Sequence, residues 1–163
     1  MSFHSQLQNK IVSQEDAATF AKKLQDEGKK IVFTNGCFDI VHPGHVDYLS
    51  QARDLGDALV LGLNTDASVK RLEKGANRPI NNETARGLVL AALACVDKIV
   101  LFNEDTPYEL IKAIQPDVLV KGSDYAPEKI VGYDIVTARG GKVTTIHFLE
   151  GYSTTAIIKK ITG

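Results

Sequence analysis

Residues 31 to 45 of this chain read Ile-Val-Phe-Thr-Asn-Gly-Cys-Phe-Asp-Ile-Val-His-Pro-Gly-His. The first three are apolar and follow a charged turn, which is typical of a strand buried on both faces. Gly36 then lets the chain turn and brings main-chain N–H groups close to a ligand, as phosphate sites require. Pro43 suits the first turn of a helix, because it lacks a donor that would be unpaired there anyway. This segment therefore predicts a strand, a glycine turn and a helix that begins beside a bound phosphate.

Two histidines, His42 and His45, lie at the start of that predicted helix. Their imidazoles can donate hydrogen bonds to phosphate oxygens at neutral pH, and the positive end of the helix dipole favours the same anion. A His-x-x-His pair can also bind zinc, but a zinc site needs further ligands. The only two cysteines, Cys37 and Cys95, are far apart in the sequence. We therefore predict that the histidines bind phosphate and that the protein itself holds no metal.

Length and composition predict the general class of protein. The chain has 163 residues, a net charge of −1 and a length sufficient to bury its own core. We predict one domain over residues 1–163, in which residues 1–28 form a tail and a helix packed on the core. The balanced charge argues against a nucleic-acid partner, and the lack of a long apolar run argues against a membrane partner. The polar N-terminus favours a cytoplasmic protein.

Strand and helix patterns alternate along the chain. Alternation of this kind predicts an α/β fold, a Rossmann-like doubly wound parallel sheet with helices on both faces. The predicted strands span residues 31–34, 58–63, 98–101, 118–120 and 142–146. The predicted helices span residues 13–28, 43–55, 82–94, 107–114, 127–138 and 154–161.

Polar residues follow the predicted strands, at the edge where ligands bind in an open α/β sheet. Lys121 follows the strand over 118–120, and we assign it to a nucleotide phosphate. Gly122 would allow close approach, and Asp124 would bind ribose or make structural hydrogen bonds. Ser153 and Thr154 begin the last predicted helix, where hydroxyls and free N–H groups cap the helix or bind phosphate, and both roles can hold together.

Residues 64–72 and 74–79 predict a flexible, cationic loop at the same edge of the sheet. In this loop we interpret Lys74 as a solvated surface residue. Arg86, in the next predicted helix, either ties the loop to the site or pairs with Glu83 three residues earlier. We favour the pairing.

The tetrapeptide His-Pro-Gly-His at 42–45, preceded by Asn-Gly-Cys-Phe-Asp at 35–39, resembles the HxGH signature of the nucleotidyltransferase superfamily that includes the cytidylyltransferases. Segments 64–68, 104–107, 120–125 and 152–161 resemble the adenylyltransferase half of the bifunctional heptose kinase/adenylyltransferases. Because this sequence lacks the kinase half, the resemblance implies a stand-alone D-glycero-D-manno-heptose 1-phosphate adenylyltransferase. Such enzymes transfer AMP from ATP to the heptose phosphate, giving ADP-heptose for the lipopolysaccharide inner core and pyrophosphate.

The resemblance also implies roles for particular residues. It places a lysine of the 64–72 segment over the triphosphate, and we assign Lys70 to this role. Arg71 and Arg78 are then candidates for binding the phosphate of the second substrate. Mg²⁺ would arrive with ATP as the only cofactor. Because relatives are commonly dimers or larger assemblies, the resemblance leaves room for a homo-oligomer.

These assignments give three sets of residues. The predicted catalytic residues are His42, His45, Lys70 and Lys121. The predicted nucleotide-binding residues are Thr34, Asn35, Gly36, Cys37, Phe38, His42, His45, Lys121, Gly122, Asp124, Tyr152, Ser153, Thr154 and Thr155. The predicted substrate-binding residues are Asp39, Asn64, Lys70, Arg71 and Arg78.

Two other functions stay open at this point. One is a cytidylyltransferase that uses CTP and glycerol phosphate or a similar acceptor. Ala94 and Cys95 stand where those enzymes carry Arg-Tyr, which disfavours this alternative. The other is a nucleotide-binding regulatory protein that has lost turnover. The presence of both histidines, the lysines and the hydroxyl segment argues against such a loss.

Overall fold

The computed structural model describes residues 1–72 and 74–163. In this part of the chain there are five β-strands and eight α-helices. The strands are β1 (Ile31–Gly36), β2 (Ala58–Asn64), β3 (Lys98–Phe102), β4 (Val118–Gly122) and β5 (Lys142–Ile146). The helices are α1 (Phe3–Gln8), α2 (Gln14–Asp26), α3 (Pro43–Arg53), α4 (Asp66–Arg71), α5 (Glu83–Ala91), α6 (Tyr108–Ile114), α7 (Tyr133–Ala138) and α8 (Thr154–Thr162).

The strands form one parallel sheet in the order β3-β2-β1-β4-β5. From β1 the chain adds β2 and β3 on one side, and then crosses over to add β4 and β5 on the other. The strand order therefore reverses between β1 and β4, and a crevice opens at the carboxyl ends of these two strands. The predicted Rossmann-like doubly wound sheet is confirmed.

Alternate residues of the central strands point into two cores, one on each face of the sheet. Val32 and Leu61 pack with residues of α3 and α5, whereas Phe33 and Val60 pack with residues of α2, α6 and α7. All four side chains are fully buried, and each such burial stabilises the fold by about 1.5–3 kcal/mol. Burial on both faces explains why β1 and β2 read as continuous apolar runs rather than as alternating ones.

The prediction of a single helix over residues 127–138 is wrong. A 3₁₀ turn spans Pro127–Lys129, and α7 begins only at Tyr133. Gly132 lies between them with φ +91°, a left-handed conformation that interrupts any right-handed helix. A Cβ added there would lie 2.8 Å from the Ile111 side chain, so glycine also allows close packing on α6.

The prediction of a flexible loop is wrong for residues 66–71, which form α4. The Thr65 hydroxyl caps this helix by accepting a hydrogen bond from the Ser68 N–H, at 3.2 Å. Asp66 lies in the first turn, and Lys70 and Arg71 lie in the last, as the helix dipole favours. The helix holds its two cations on a fixed scaffold.

The N-terminal residues cover the outer edge of the sheet. The Val12 N–H donates to the Ile99 carbonyl at 2.9 Å, and the Ile99 N–H donates to the Lys10 carbonyl at 2.8 Å. Such pairing protects an edge strand that would otherwise present unpaired backbone groups. Among the described residues, no helix combines the length and the apolar character needed to cross a membrane.

Candidate active site

A cleft of about 620 Å³ opens at the carboxyl ends of β1 and β4, where the strand order reverses. This is the place where doubly wound sheets bind their ligands. A larger, more open groove of about 1050 Å³ lies between α2 and α6 and contains none of the predicted site residues. The predicted residues that line the cleft are Asn35, Gly36, Cys37, Phe38, Asp39, His42, His45, Arg78, Lys121, Gly122, Asp124, Tyr152, Ser153, Thr154 and Thr155.

Lys121 joins the two strands on which the cleft is built. Its Nζ donates to the Asn35 carbonyl at 3.3 Å and to Asn35 Oδ1 at 3.2 Å. Burial lowers the pKa of Lys121 to about 8, Cys37 acts in the opposite direction, and the charge of Lys74 lowers the pKa further. A bound anion would favour the charged form of Lys121, because it would replace part of the lost hydration.

His42 and His45 stand together at the start of α3. Their rings stack with centroids 3.8 Å apart and 21° between the ring planes. Within residues 1–72 and 74–163, the buried Nδ1 atoms of both rings have no hydrogen-bond partner. A buried polar atom without a partner carries a desolvation cost, which a ligand at this position can remove.

Burial disfavours the charged form of both histidines. Burial lowers the pKa of His42. Burial is also the main cause that lowers the pKa of His45 to about 4; the charges of His42 and Lys74 add to it, and a backbone hydrogen bond with Ile40 opposes it. A neutral imidazole still donates one hydrogen bond, and a nearby phosphate would stabilise the protonated form.

The tight backbone of residues 36–38 places an aromatic wall beside the histidines. Phe38 has φ +45°, which is unusual for a bulky residue. Its ring lies edge-on to the His45 ring, with centroids 5.2 Å apart. A Cβ added to Gly36 would lie 2.8 Å from this ring, so only glycine fits beneath it.

Gly44 and the start of α8 form the opposite wall. A Cβ added to Gly44 would lie 3.0 Å from the His42 ring and 3.3 Å from Tyr152 Cβ. The Ser153 hydroxyl caps α8 by accepting from the Ala156 N–H at 3.0 Å, while Ser153 also lines the cleft. The first turn of α8 thus offers hydroxyls and N–H groups to an anion.

Asp39 anchors the segment that carries Arg78. Its carboxylate accepts from Arg78 Nε at 2.6 Å, from the Ile80 N–H at 2.8 Å and from the Asn81 N–H at 2.9 Å. Burial opposes ionisation, but the hydrogen bonds of Asn81, Ile80 and Arg78 outweigh it and lower the pKa of Asp39. The carboxylate oxygens are therefore engaged with protein groups, while Arg78 itself lines the cleft.

The side chains of Thr34 and Asn64 do not line the cleft. Thr34 is fully buried, and its hydroxyl contacts the Tyr48 hydroxyl at 2.8 Å and donates to the Val120 carbonyl at 3.0 Å. Asn64 is also buried and donates to Ser68 Oγ at 2.9 Å. The structure therefore shows internal hydrogen bonds for both side chains, whereas the sequence predicted that Thr34 binds the nucleotide and that Asn64 binds the second substrate.

The cations of the α4 region are arranged differently from the prediction. Lys70 is exposed on α4 and does not line the cleft. Arg71 Nε donates to Asp105 at 2.8 Å, outside the cleft, and Arg71 also contacts the Asn103 carbonyl. Lys74, interpreted from sequence as a surface residue, lines the cleft instead. The adjoining Gly75 and the nearby Arg78 could have indicated a close approach to an anion.

The sequence prediction missed the pairing of Arg86, which lies outside the cleft lining, and several side chains that do line the cleft. Arg86 pairs with Asp66 at 2.8 Å rather than with Glu83, and it is 1% exposed. Besides Lys74, the residues that line the cleft and were not predicted are Gly44, Tyr48, Tyr125, Phe148 and Leu149. Gly44 belongs to the His-Pro-Gly-His signature. The other four residues are apolar or aromatic, so a search of the sequence for phosphate-binding groups could not identify them.

Paired histidines, a lysine at a strand end and a hydroxyl-rich helix start converge at the switch point of a doubly wound sheet. These features define a nucleotidyltransferase of the HxGH class. The chain belongs to the cytidylyltransferase-like family, whose family model matches residues 33–160. This confirms the class of enzyme predicted from the sequence.

Individual proteins with known names support the family assignment. The chain is 54% identical over 162 residues to the bifunctional protein HldE of Wolinella succinogenes, covering 99% of this chain and 33% of that protein. It is 57% identical over 151 residues to the bifunctional protein HldE of Haemophilus ducreyi, covering 93% and 32% respectively. The chain thus spans about a third of the length of these relatives.

A solved structure shows the same fold. The lipopolysaccharide core biosynthesis protein from Thermoplasma volcanium superposes with a TM-score of 0.61 and 27% sequence identity. The match covers 77% of this chain and 100% of that protein.

Proposed function

We propose that this chain transfers AMP from ATP to D-glycero-D-manno-heptose 1-phosphate, giving ADP-heptose and pyrophosphate. The observation that carries the proposal is the pair of stacked histidines that line the same cleft as Lys121. Their buried Nδ1 atoms have no hydrogen-bond partner among the residues that the structure describes. The heptose phosphate acceptor is supported by the 54% identity to a bifunctional HldE protein and by the sequence segments that resemble heptose-phosphate adenylyltransferases. The product would supply the lipopolysaccharide inner core, and the reaction would take place in the cytoplasm.

The proposed reaction is a single in-line displacement. A phosphate oxygen of the acceptor attacks the α-phosphorus of ATP and forms a new P–O bond. The bond from the α-phosphorus to the bridging oxygen of the β-phosphate breaks, and pyrophosphate leaves with the electron pair. The protein provides position and charge rather than a covalent nucleophile.

Different residues of the cleft would bind different phosphate groups of ATP. His42 and His45 would donate hydrogen bonds to the α- and β-phosphate oxygens, where negative charge accumulates in the transition state. Lys121 and Lys74, which both line the cleft, would contribute positive charge. Ser153, at the start of α8, would help hold the β- and γ-phosphates as they become pyrophosphate.

The side chains of the cleft fit a magnesium ion that is bound mainly by the triphosphate of ATP rather than by the protein. The cleft contains cations, imidazoles and hydroxyls, and its carboxylates are Asp39 and Asp124. Asp39 is occupied by Arg78 and two backbone N–H groups, which leaves Asp124 as the carboxylate available to the ion or its water. When bound, Mg²⁺ would neutralise charge on the triphosphate.

Arg78 is the candidate group for the phosphate of the acceptor. Its Nε is engaged with Asp39, which fixes the guanidinium, and the side chain is 12% exposed. The remaining N–H groups of a fixed guanidinium can bind a phosphate in a bidentate manner. An acceptor held there would lie on the side of the cleft formed by residues 36–39.

Pyrophosphate release by the purified protein with Mg²⁺ tests the proposal. ATP and CTP should each be crossed with both anomers of D-glycero-D-manno-heptose 1-phosphate and with glycerol 3-phosphate. We expect release with ATP and one heptose 1-phosphate anomer, with a product whose mass matches ADP-heptose. Release with CTP and glycerol phosphate alone would overturn the substrate assignment. Binding of ATP with no release in any combination would overturn the proposed activity.

A further inference from the structure

Arg86 is a buried cation that connects three segments of chain beneath the cleft. Its Nη1 donates to the Cys37 and Asn64 carbonyls, both at 2.8 Å. Its Nη2 donates to Asp66 at 2.8 Å, and its Nε donates to the Asn81 carbonyl at 3.0 Å. One guanidinium thus satisfies acceptors that follow β1, begin α4 and precede α5. Arg86 itself does not line the cleft.

The same network holds the chain on both sides of Phe38. Arg86 binds the carbonyl of Cys37, the residue before it. Asn81 binds the residue after it, because its Nδ2 donates to the Asp39 carbonyl at 2.8 Å and its N–H donates to the Asp39 carboxylate at 2.9 Å. Arg86 also donates to the Asn81 carbonyl. The contacts of Arg86 with Cys37 and of Asn81 with Asp39 therefore belong to one connected set of hydrogen bonds.

Phe38 adopts a backbone conformation that needs such support. Its φ of +45° is strained for a residue with a Cβ, and strained conformations persist only where the surroundings enforce them. The result is a ring that covers Gly36 and meets the edge of His45, with centroids 5.2 Å apart. Phe38 is 7% exposed, so the ring fills its site and limits how far His45 can turn.

We propose that Arg86 is a positioning residue for His45, acting through the clamped backbone of residues 37–39 and the ring of Phe38. The inference rests on the proposed function only in assuming that His45 contacts the transferred phosphate. A displacement of a catalytic group by about 1 Å can cost on the order of a hundredfold in rate. A residue that touches no substrate would therefore control turnover.

The four acceptors around residue 86 can be reached together by an arginine side chain but not by a lysine side chain. The planar guanidinium presents five N–H donors in a fixed fork, and here it reaches four acceptors in different directions. A lysine has one nitrogen at the end of a flexible stem, so it cannot reach all four. The loss would release the Cys37 carbonyl, the Asn81 carbonyl or both.

The first test is Arg86→Lys, with Arg53→Lys as the matched control. Arg53 also joins a carboxylate and a backbone carbonyl, since it donates to Asp97 and to the Gly56 carbonyl, but it lies outside the cleft. We expect Arg86→Lys to lower kcat at least about tenfold while the KM for ATP stays within about twofold, because the effect falls on the transition state. Arg53→Lys should change neither parameter.

A second readout needs no substrate. NMR titration of the free protein follows the imidazole of His45, which faces His42, Lys74 and the Ile40 backbone. We expect the His45 midpoint to rise by about one pH unit in Arg86→Lys, because a displaced ring is better hydrated. A normal His45 titration together with a normal kcat would show that Arg86 is merely structural and would overturn the proposal.

Phe38→Gly keeps the inference testable if Arg86→Lys does not fold. Glycine adopts positive φ without strain, so the backbone of residues 37–39 can remain in place while the ring is lost. We expect the same rise in the His45 midpoint, and an unchanged midpoint would overturn the proposal. If the wild-type protein proves to have no transferase activity but these shifts occur, the proposed function fails and the positioning of His45 stands.

Discussion

The rings of His42 and His45 stack at 3.8 Å, at the positive end of α3. Two imidazoles this close cannot both carry a proton at low cost, because like charges in a buried site repel each other. A phosphate between them and Lys121 would change this balance, since its negative charge stabilises a proton on either ring. We therefore expect the pair to bind a ligand that carries negative charge.

The first prediction concerns the contribution of His45 to turnover. We expect His45→Ala to lower kcat on the order of a hundredfold, because one well-aimed donor to developing charge is removed. The variant should fold, since it eliminates a buried nitrogen that has no partner among residues 1–72 and 74–163. Steady-state pyrophosphate release measures the effect. His4→Ala is the control, because His4 lies on α1 and is exposed. Equal turnover in the two variants would contradict the role of His45.

The second prediction concerns acid and stability. The folded pKa of His45 is about 4, below its usual value of 6.5, so between these values the unfolded chain binds more protons than the folded one. The free energy of unfolding should therefore fall as the pH decreases from about 6.5 to about 4. Urea denaturation at several pH values measures this slope. We expect a smaller slope in His45→Ala, and the same slope in both proteins would exclude His45 as its source.

The positions of some site residues could be predicted from the sequence, because these residues follow the ends of predicted strands. Residues that follow parallel strands share one edge of the sheet, so His42, Lys121 and the residues at 152–155 could be placed together from sequence alone. Thr34 shows the limit of this reasoning. It adjoins Asn35 in β1, and successive side chains of a strand point to opposite faces, so one of them lines the cleft while the other is buried.

Other parts depend on tertiary contacts that no local pattern records. Lys70 and Lys74 are four residues apart in a cationic segment, and the direction of the chain after α4 determines which of them lines the cleft. Arg86 has an acid three residues before it, which predicts a surface pair. Three of its four acceptors, on Asp66, Cys37 and Asn64, are 20 to 49 residues away in sequence.

The third prediction separates the two lysines. Lys74 lines the cleft and Lys70 does not, so we expect Lys74→Ala to lower kcat/KM for ATP on the order of tenfold or more, with a much smaller loss for Lys70→Ala. Both substitutions remove one positive charge from the same region, so the two variants have the same net charge and differ only in where the charge is lost. Raising the salt concentration should reduce the Lys74 effect, because exposed charges are screened. A larger loss in Lys70→Ala would instead support the role that the sequence predicted for Lys70.

The fourth prediction separates stability from activity at Gly44. This residue lies in the first turn of α3, where alanine is a better helix former than glycine by up to about 1 kcal/mol. The added Cβ would lie 3.0 Å from the His42 ring, which must move by a few tenths of an ångström. We expect Gly44→Ala to keep or raise the melting temperature while kcat falls about tenfold.

Gly87→Ala is the matched control for this substitution. Gly87 is also helical, and its added Cβ would meet Ile11 at 3.3 Å; neither residue lines the cleft. Turnover should be unaffected in this variant, whatever happens to its melting temperature. Because a glycine-to-alanine change alters backbone freedom equally in both helices, a fall in kcat confined to Gly44→Ala would trace to the position of His42. Full turnover in Gly44→Ala would mean that the orientation of His42 does not limit the reaction.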